Sequence, residues 1–195
     1  MSDFIRDLPK ARREGRRLAI TSVCSAHPDV IRATFRHGRA GEGPVLIEAT
    51  CNQVNQDGGY TGMRPADFRR FVLAIAAEEG FAPERIIFGG DHLGPNPWKK
   101  KPAEEAMAKA EAMVAAFVAA GFSKIHLDAS MGCAGEPEAL DDATTAHRAA
   151  RLAAAAEAEA RDAGLPPPVY VIGTEVPTPG GATHALDHLE PTTPE

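Results

Sequence analysis

The chain has 195 residues, 44% apolar and 25% charged, and 27 Asp and Glu against 21 Lys and Arg give it a net charge of −6. That is enough for one domain with its own core and argues against nucleic-acid binding, which needs a basic face. The densest basic stretches, residues 99–101 and the scattered arginines of residues 6–17, read as solvated surface. Cys24, Cys51 and Cys133 are odd in number and never form a CxxC pair, which argues against a disulfide framework or a structural zinc site. Residues 1–17 lack the apolar run of a signal peptide, and no stretch approaches the roughly 20 apolar residues of a membrane span. The expected setting is therefore cytoplasmic, with no membrane and no nucleic-acid partner.

Strand and helix signals alternate along the chain. LAITSVC (18–24) is a first strand, followed by a short helix from Pro28 toward His37. VLIEATC (45–51) is a second strand. A helix over residues 65–79 follows, with Phe68, Phe71, Val72 and Ile75 at helical spacing, Pro65 at its start and Gly80 at its stop. RIIFG (85–89) is a third strand, and residues 102–120 a third helix with a buried stripe of Met107, Ala110, Val114, Phe117 and Val118. KIHLD (124–128) is a fourth strand, residues 142–163 an alanine-rich helix, and VYVIGT (169–174) a fifth strand. Residues 1–195 form a single domain in this reading, with 182–195 as a flexible tail.

Regular β-α-β-α alternation implies a parallel sheet with right-handed crossovers, either an open doubly wound sheet or a closed (β/α)8 TIM barrel. Central strands of a doubly wound sheet read as continuous apolar runs. Here Glu48, Thr50 and Asn52 alternate with Ile47, Ala49 and Cys51, and His126 and Asp128 with Ile125 and Leu127. One polar and one apolar face per strand favours the barrel. The proline-rich stretch after the fifth strand offers no helix to cover it. The expectation is a truncated barrel holding about the first five strand–helix units.

Barrel active sites lie at the C-terminal strand ends. All five ends here are polar and glycine-bearing. Asp91-His92 is the sharpest pair, since a neutral imidazole can ligate a metal and an adjacent carboxylate can move a proton. Glu48, Asp128, His126 and Glu175 can converge on the same mouth and offer ligands for Zn²⁺, Mn²⁺ or Mg²⁺. The assignment is Asp91 and Glu175 as catalytic residues, Asn52, Gln53 and Ser130 as substrate contacts, and His92, Asp128 and Glu48 as metal ligands. His27 is open between a helix cap and a site residue. His37, His147, His184 and His188 receive no role, and Cys24 and Cys51 read as small buried residues. Neither GxxxxGK[ST] nor a GxGxxG after a strand is present.

Five segments make the chain recognisable: SVCSAHP (22–28), IEATCNQVNQDGGYTGM (47–63), GGDHLGPNPW (89–98), KIHLDAS (124–130) and IGTEVPTPGG (172–181). They resemble the GatZ/KbaZ family, the non-catalytic subunit of class II D-tagatose-1,6-bisphosphate aldolase, whose members are about twice this long and look like complete barrels. The resemblance implies a place in tagatose 6-phosphate, galactitol and N-acetylgalactosamine catabolism, a sugar-phosphate ligand, and a catalytic aldolase subunit as partner. A homo-oligomer is compatible with it. Older family names describe tagatose-6-phosphate kinases, to which the missing phosphate loop lends no support. Some relatives look like metal-dependent epimerases acting at C4 of ketohexose phosphates.

Catalytic class II aldolases are similar at three points. They carry an Asp-His pair after a barrel strand, like Asp91-His92, a DGS-type turn, like LDAS at 127–130, and an IGTAHG segment whose His binds zinc. This chain reads IGTEVP at 172–177, with Val176 at the place of that histidine. The favoured expectation is an accessory subunit that stabilises and activates the aldolase. The rival is an epimerase interconverting fructose 6-phosphate and tagatose 6-phosphate, with its phosphate anchor in loops beyond this chain.

Overall fold

The computed structural model describes residues 2–173. Its elements in chain order are α1 (Ser2–Arg13), β1 (Ser22–Cys24), α2 (Pro28–Gly38), β2 (Val45–Thr50), α3 (Pro65–Glu78), β3 (Ile86–Leu93), α4 (Ala103–Ala119), β4 (Lys124–Leu127), α5 (Asp142–Asp162) and β5 (Val169–Ile172). All strand pairs are parallel, and the order in the sheet is β1-β2-β3-β4-β5. The chain is therefore α/β, with strands laid down in sequence and no reversal of order.

Strand alternation sorts the side chains between two faces. Ile47, Ala49, Phe88, Ile125 and Leu127 join Ile31, Phe35, Phe68, Phe117 and Leu152 in one core, so α2 to α5 cover the same face. Leu46 and Ile87 face the other way and form a second cluster with Ile5, flanked by Leu8, Ile20 and Val169. Helix α1 thus sits against the opposite face, at the N-terminal end of the strands. The sequence reading gave residues 1–17 only to surface. Ile5, Leu8 and Ala11 carry the helical spacing, but Pro9 and the surrounding arginines obscure it. Ala11 is fully buried and Ile5 7% exposed.

Strand bounds shift where tertiary partners decide them. β1 is shorter than the apolar run 18–24, because an edge strand is paired only where β2 runs beside it. Ile20 packs toward α1 instead. β3 runs past Gly89 to Leu93 and so carries Asp91 and His92 within the strand. His27 is a cap: its Nδ1 accepts the Asp29 N–H at 3.2 Å, closing the N-terminus of α2. All three cysteines are free, with Cys51 and Cys133 buried. Among the described residues no helix is long and apolar enough to cross a membrane.

β5 leaves apolar surface open. Tyr170 turns to the helical side and donates its hydroxyl to Ala153 O at 3.3 Å, but Val171 is 44% and Ile172 65% exposed. Exposed apolar edge strands recruit other strands. The 195-residue chain produced alone is expected to self-associate, and Val171→Lys with Ile172→Lys to shift it toward monomer in sedimentation velocity. Unchanged association would place the contact elsewhere.

Candidate active site

The site is built on the C-terminal ends of β2, β3 and β4. In a regular strand Asp91 and His92 would point to opposite faces. The β3–β4 register breaks between Gly90 and Leu93, and His92 takes φ +50°, a left-handed conformation uncommon outside glycine. This bulge turns His92 back toward the side of Asp91. Both then line a cleft of about 280 Å³ with Thr50, Asn52, Asn96 and Asp128 among its walls.

Asp91 is the hub. Its Oδ1 lies 2.9 Å from His126 Nδ1 and its Oδ2 lies 3.0 Å from His92 Nδ1. The two rings pack at 4.4 Å between centroids. Burial works to raise the Asp91 carboxyl, yet the hydrogen bonds of His126 and His92, with the charges of His92 and Lys124, outweigh it and hold the group well below the usual carboxylate range. An ionised carboxylate only accepts, so both Nδ1 atoms are donors, and an imidazole held this way in its neutral form presents Nε2 as its lone-pair nitrogen.

Among the described residues, Asp91, His92 and His126 also form a group that could hold a metal, with ligand atoms within 4.8 Å of one another. Among the described residues His126 Nε2 is buried and has no hydrogen-bond partner. Gly173 lies directly against it, since a Cβ there would come within 2.2 Å. A buried unpartnered imidazole nitrogen whose opposite nitrogen is fixed by a carboxylate is the donor arrangement of a histidine metal ligand. The residues fit a divalent transition metal such as Zn²⁺ or Mn²⁺.

The remaining assigned residues fall in different places. Asp128 lines the cleft, and its Oδ1 accepts from Ser130 N at 3.1 Å and Ser130 Oγ at 2.8 Å. Asn52 also lines the cleft. Gln53 is turned inward: its Oε1 accepts from Thr50 N at 2.8 Å and from the Cys24 thiol at 3.7 Å. Glu48 is 1% exposed beneath the cleft and paired with Lys124 at 2.6 Å. Glu175 lies outside the described residues, as do Val176 and the tail 182–195. Burial pushes the thiols of Cys24 and Cys51 up to about 12, so neither is a nucleophile at neutral pH.

Two contributors were not assigned from sequence. His126 was counted among the groups able to offer ligands at the mouth but was left out of the assigned metal set; its inward position in β4 was the available signal. Asn96 follows β3 in a short 3₁₀ turn, Asn96–Trp98, and its side of the cleft is fixed by a staple. Trp98 Nε1 and Lys109 Nζ both donate to Asp57 Oδ2, at 3.2 and 3.0 Å, tying the loop after β2 to the loop after β3.

A D-tagatose 6-phosphate 4-epimerase of Agrobacterium fabrum is 63% identical over all of this chain and 46% of its own length. A D-tagatose-1,6-bisphosphate aldolase subunit GatZ of Escherichia coli is 58% identical over 91% of this chain and 42% of its own length. The crystal structure of a probable tagatose 6 phosphate kinase from Sinorhizobium meliloti superimposes with a TM-score of 0.74 at 67% identity, covering 80% of this chain and 39% of that one. This chain therefore spans less than half the length of these relatives. The profile of the D-tagatose-1,6-bisphosphate aldolase subunit GatZ/KbaZ-like family matches residues 5–195, and the chain belongs to that family.

Proposed function

We propose that the chain is the first five strand–helix units of a (β/α)8 barrel and carries the reacting half of a metal-dependent ketohexose 6-phosphate C4 epimerase site. The barrel is supported by the sequential strand order and by α2 to α5 all covering the same face of the sheet. The enzyme reading is carried by one observation: a carboxylate held between two imidazoles in the wall of a cleft. An accessory surface has no use for such a group. This ranks the epimerase above the accessory subunit that the sequence resemblance favoured.

Asp91 takes the proton of the C4 hydroxyl as the C3–C4 bond breaks, giving a three-carbon enediolate and glyceraldehyde 3-phosphate. After the aldehyde turns its other face, the enediolate carbon re-forms the C3–C4 bond and Asp91 returns the proton to the C4 oxygen. The starting ketose and its C4 epimer have the same atoms, so no co-reactant is needed. A divalent metal held by His92 and His126 would supply Lewis acidity toward the sugar oxygens. Asn52 and Asn96 offer amides to the hydroxyls. Glu175 remains a candidate second base, Asp128 a further metal oxygen and Ser130 the residue that orients it. The phosphate anchor is assigned to the second half of the barrel.

The test is the full-length protein, with the second half of the barrel included, given Mn²⁺ or Zn²⁺ and fructose 6-phosphate, with tagatose 6-phosphate followed by chromatography. Formation of product by the protein alone supports the epimerase; none under either metal defeats it. The second reading, an accessory partner of a catalytic class II aldolase subunit, is favoured by the names of the GatZ relatives at 54–58% identity. It predicts higher aldolase activity and thermal stability on co-expression with that subunit. Metal content gives an independent check on the site. His126→Ala is expected to lower bound metal at least about tenfold by elemental analysis of the dialysed protein. Unchanged metal content would remove His126 from the ligand set.

A further inference from the structure

Directly beneath the Asp91 cluster lies a buried ion pair with no part in the chemistry above. Lys124 Nζ is 2.6 Å from Glu48 Oε1 and 3.9 Å from Asp91 Oδ1. Lys124 is 7% and Glu48 1% exposed. The two belong to β4 and β2, which are separated by β3. They meet because β3 carries a glycine at that level: Glu48 is in register with Gly89, and Gly89 with Lys124. A Cβ on Gly89 would sit 2.3 Å from Glu48 Oε1. Three neighbouring strands thus give up one inward layer to a single ion pair.

Stability does not account for that expense. A buried ion pair loses hydration on both partners, and a packed apolar layer commonly does as well or better. What distinguishes this pair is its place. Asp91 is flanked by His126 on Oδ1 and His92 on Oδ2, and Lys124 approaches Oδ1 from the layer below. Lys124 is not among the residues that line the cleft. Glu48 fixes the ammonium at the crossing point and balances its charge.

We propose that Lys124, held by Glu48 across the gap at Gly89, is a positioning residue that locks the Asp91 carboxylate with one oxygen toward each imidazole. The inference rests on Asp91 being the reacting carboxylate and adds the element that orients it.

The test uses the full-length protein, with the second half of the barrel included, carrying Glu48→Gln together with Lys124→Met, which removes both charges. Lys124→Met alone would leave a buried carboxylate unpaired and confound folding with function. The expected result is a melting temperature at or near that of the unsubstituted protein, unchanged bound metal, KM for fructose 6-phosphate within about threefold and kcat lower by about 100-fold. Proton NMR supplies a readout independent of turnover. The two imidazole Nδ1–H signals shared with Asp91 should be resolved in the unsubstituted protein and lost to exchange in the double variant. Retained kcat with both signals intact would overturn the proposal and leave the pair a packing feature. Loss of metal along with kcat would also overturn it, since the pair would then support the ligands. If the unsubstituted protein turns over no fructose 6-phosphate, the epimerase reading fails, while the NMR signals still decide the positioning role: lost in the variant supports it, retained overturns it.

Discussion

Asp91→Asn is expected to lower kcat for C4 epimerisation by about 10³-fold while leaving the fold intact. Asn has nearly the same shape, but it presents one acceptor and one donor group where the carboxylate presents two acceptors. One of the two imidazole Nδ1–H groups then faces an amide N–H, and the proton acceptor is gone. The pH behaviour separates this role from a purely structural one. Burial alone would raise the Asp91 carboxyl, but the hydrogen bonds from His126 and His92 and the nearby cationic charge hold it well below its unfolded value. Its stabilising contribution is therefore complete above the unfolded value near about pH 4, and is lost as pH falls toward the lower folded value. Across about pH 5 to 9 the group stays ionised, so the activity profile should show no acid limb from Asp91. Steady-state turnover of both proteins over that range checks it. If Asp91→Asn keeps more than about a tenth of the wild-type kcat, another group moves the proton.

Gly94→Ala is expected to be the most destabilising conservative change near the site. β3 and β4 close tightly here, with Asp128 N donating to Leu93 O at 3.0 Å. A Cβ on Gly94 would lie 1.6 Å from Asp128 O and 2.8 Å from its carbonyl carbon. That obstacle is backbone, which cannot rotate aside as a side chain would. The ends of β3 and β4 must separate, pulling Asp128 away from the cleft and His126 away from Asp91. Overpacking of this kind costs about 3 kcal/mol or more. Urea denaturation should show a clearly lower midpoint, with loss of bound metal. Gly41→Ala is the control, because nothing lies within 4 Å of a Cβ there, and it should shift stability by no more than about 0.5 kcal/mol. Equal stability of the two variants would mean that the strands do not approach so closely.

Both expectations depend on positions of different legibility in the sequence. Helices α3, α4 and α5 were readable to within a residue or two of their ends, since Phe68, Val72 and Ile75, then Met107, Ala110, Val114 and Phe117, are all buried at the spacing read from the chain. The alternation in β2 and β4 gave the parallel α/β sheet and put Glu48, Asp91 and Asp128 on one side, because side-chain direction in a strand follows from sequence parity alone. The Asp91-His92 pair stood out for its chemistry. Helix α1 did not, because its apolar residues Ile5 and Leu8 needed the N-terminal ends of β2 and β3 to give them meaning.

Local sequence determined which residues face the cleft, and the tertiary structure decided what each one does there. Glu48 was chemically eligible as a metal ligand; across the sheet it meets Lys124, a residue 76 positions away that no local pattern couples to it. Gln53 was eligible as a substrate contact; the turn after β2 folds its amide back onto Thr50. His126 and His92 became a pair only when the bulge at His92 broke the strand parity that sequence reading relies on. Periodicity encodes direction along one strand, whereas partner choice depends on register between strands and on the gaps that Gly89, Gly94 and Gly173 leave. Those are set by three-dimensional packing, and they turn a list of polar strand ends into a carboxylate held between two imidazoles.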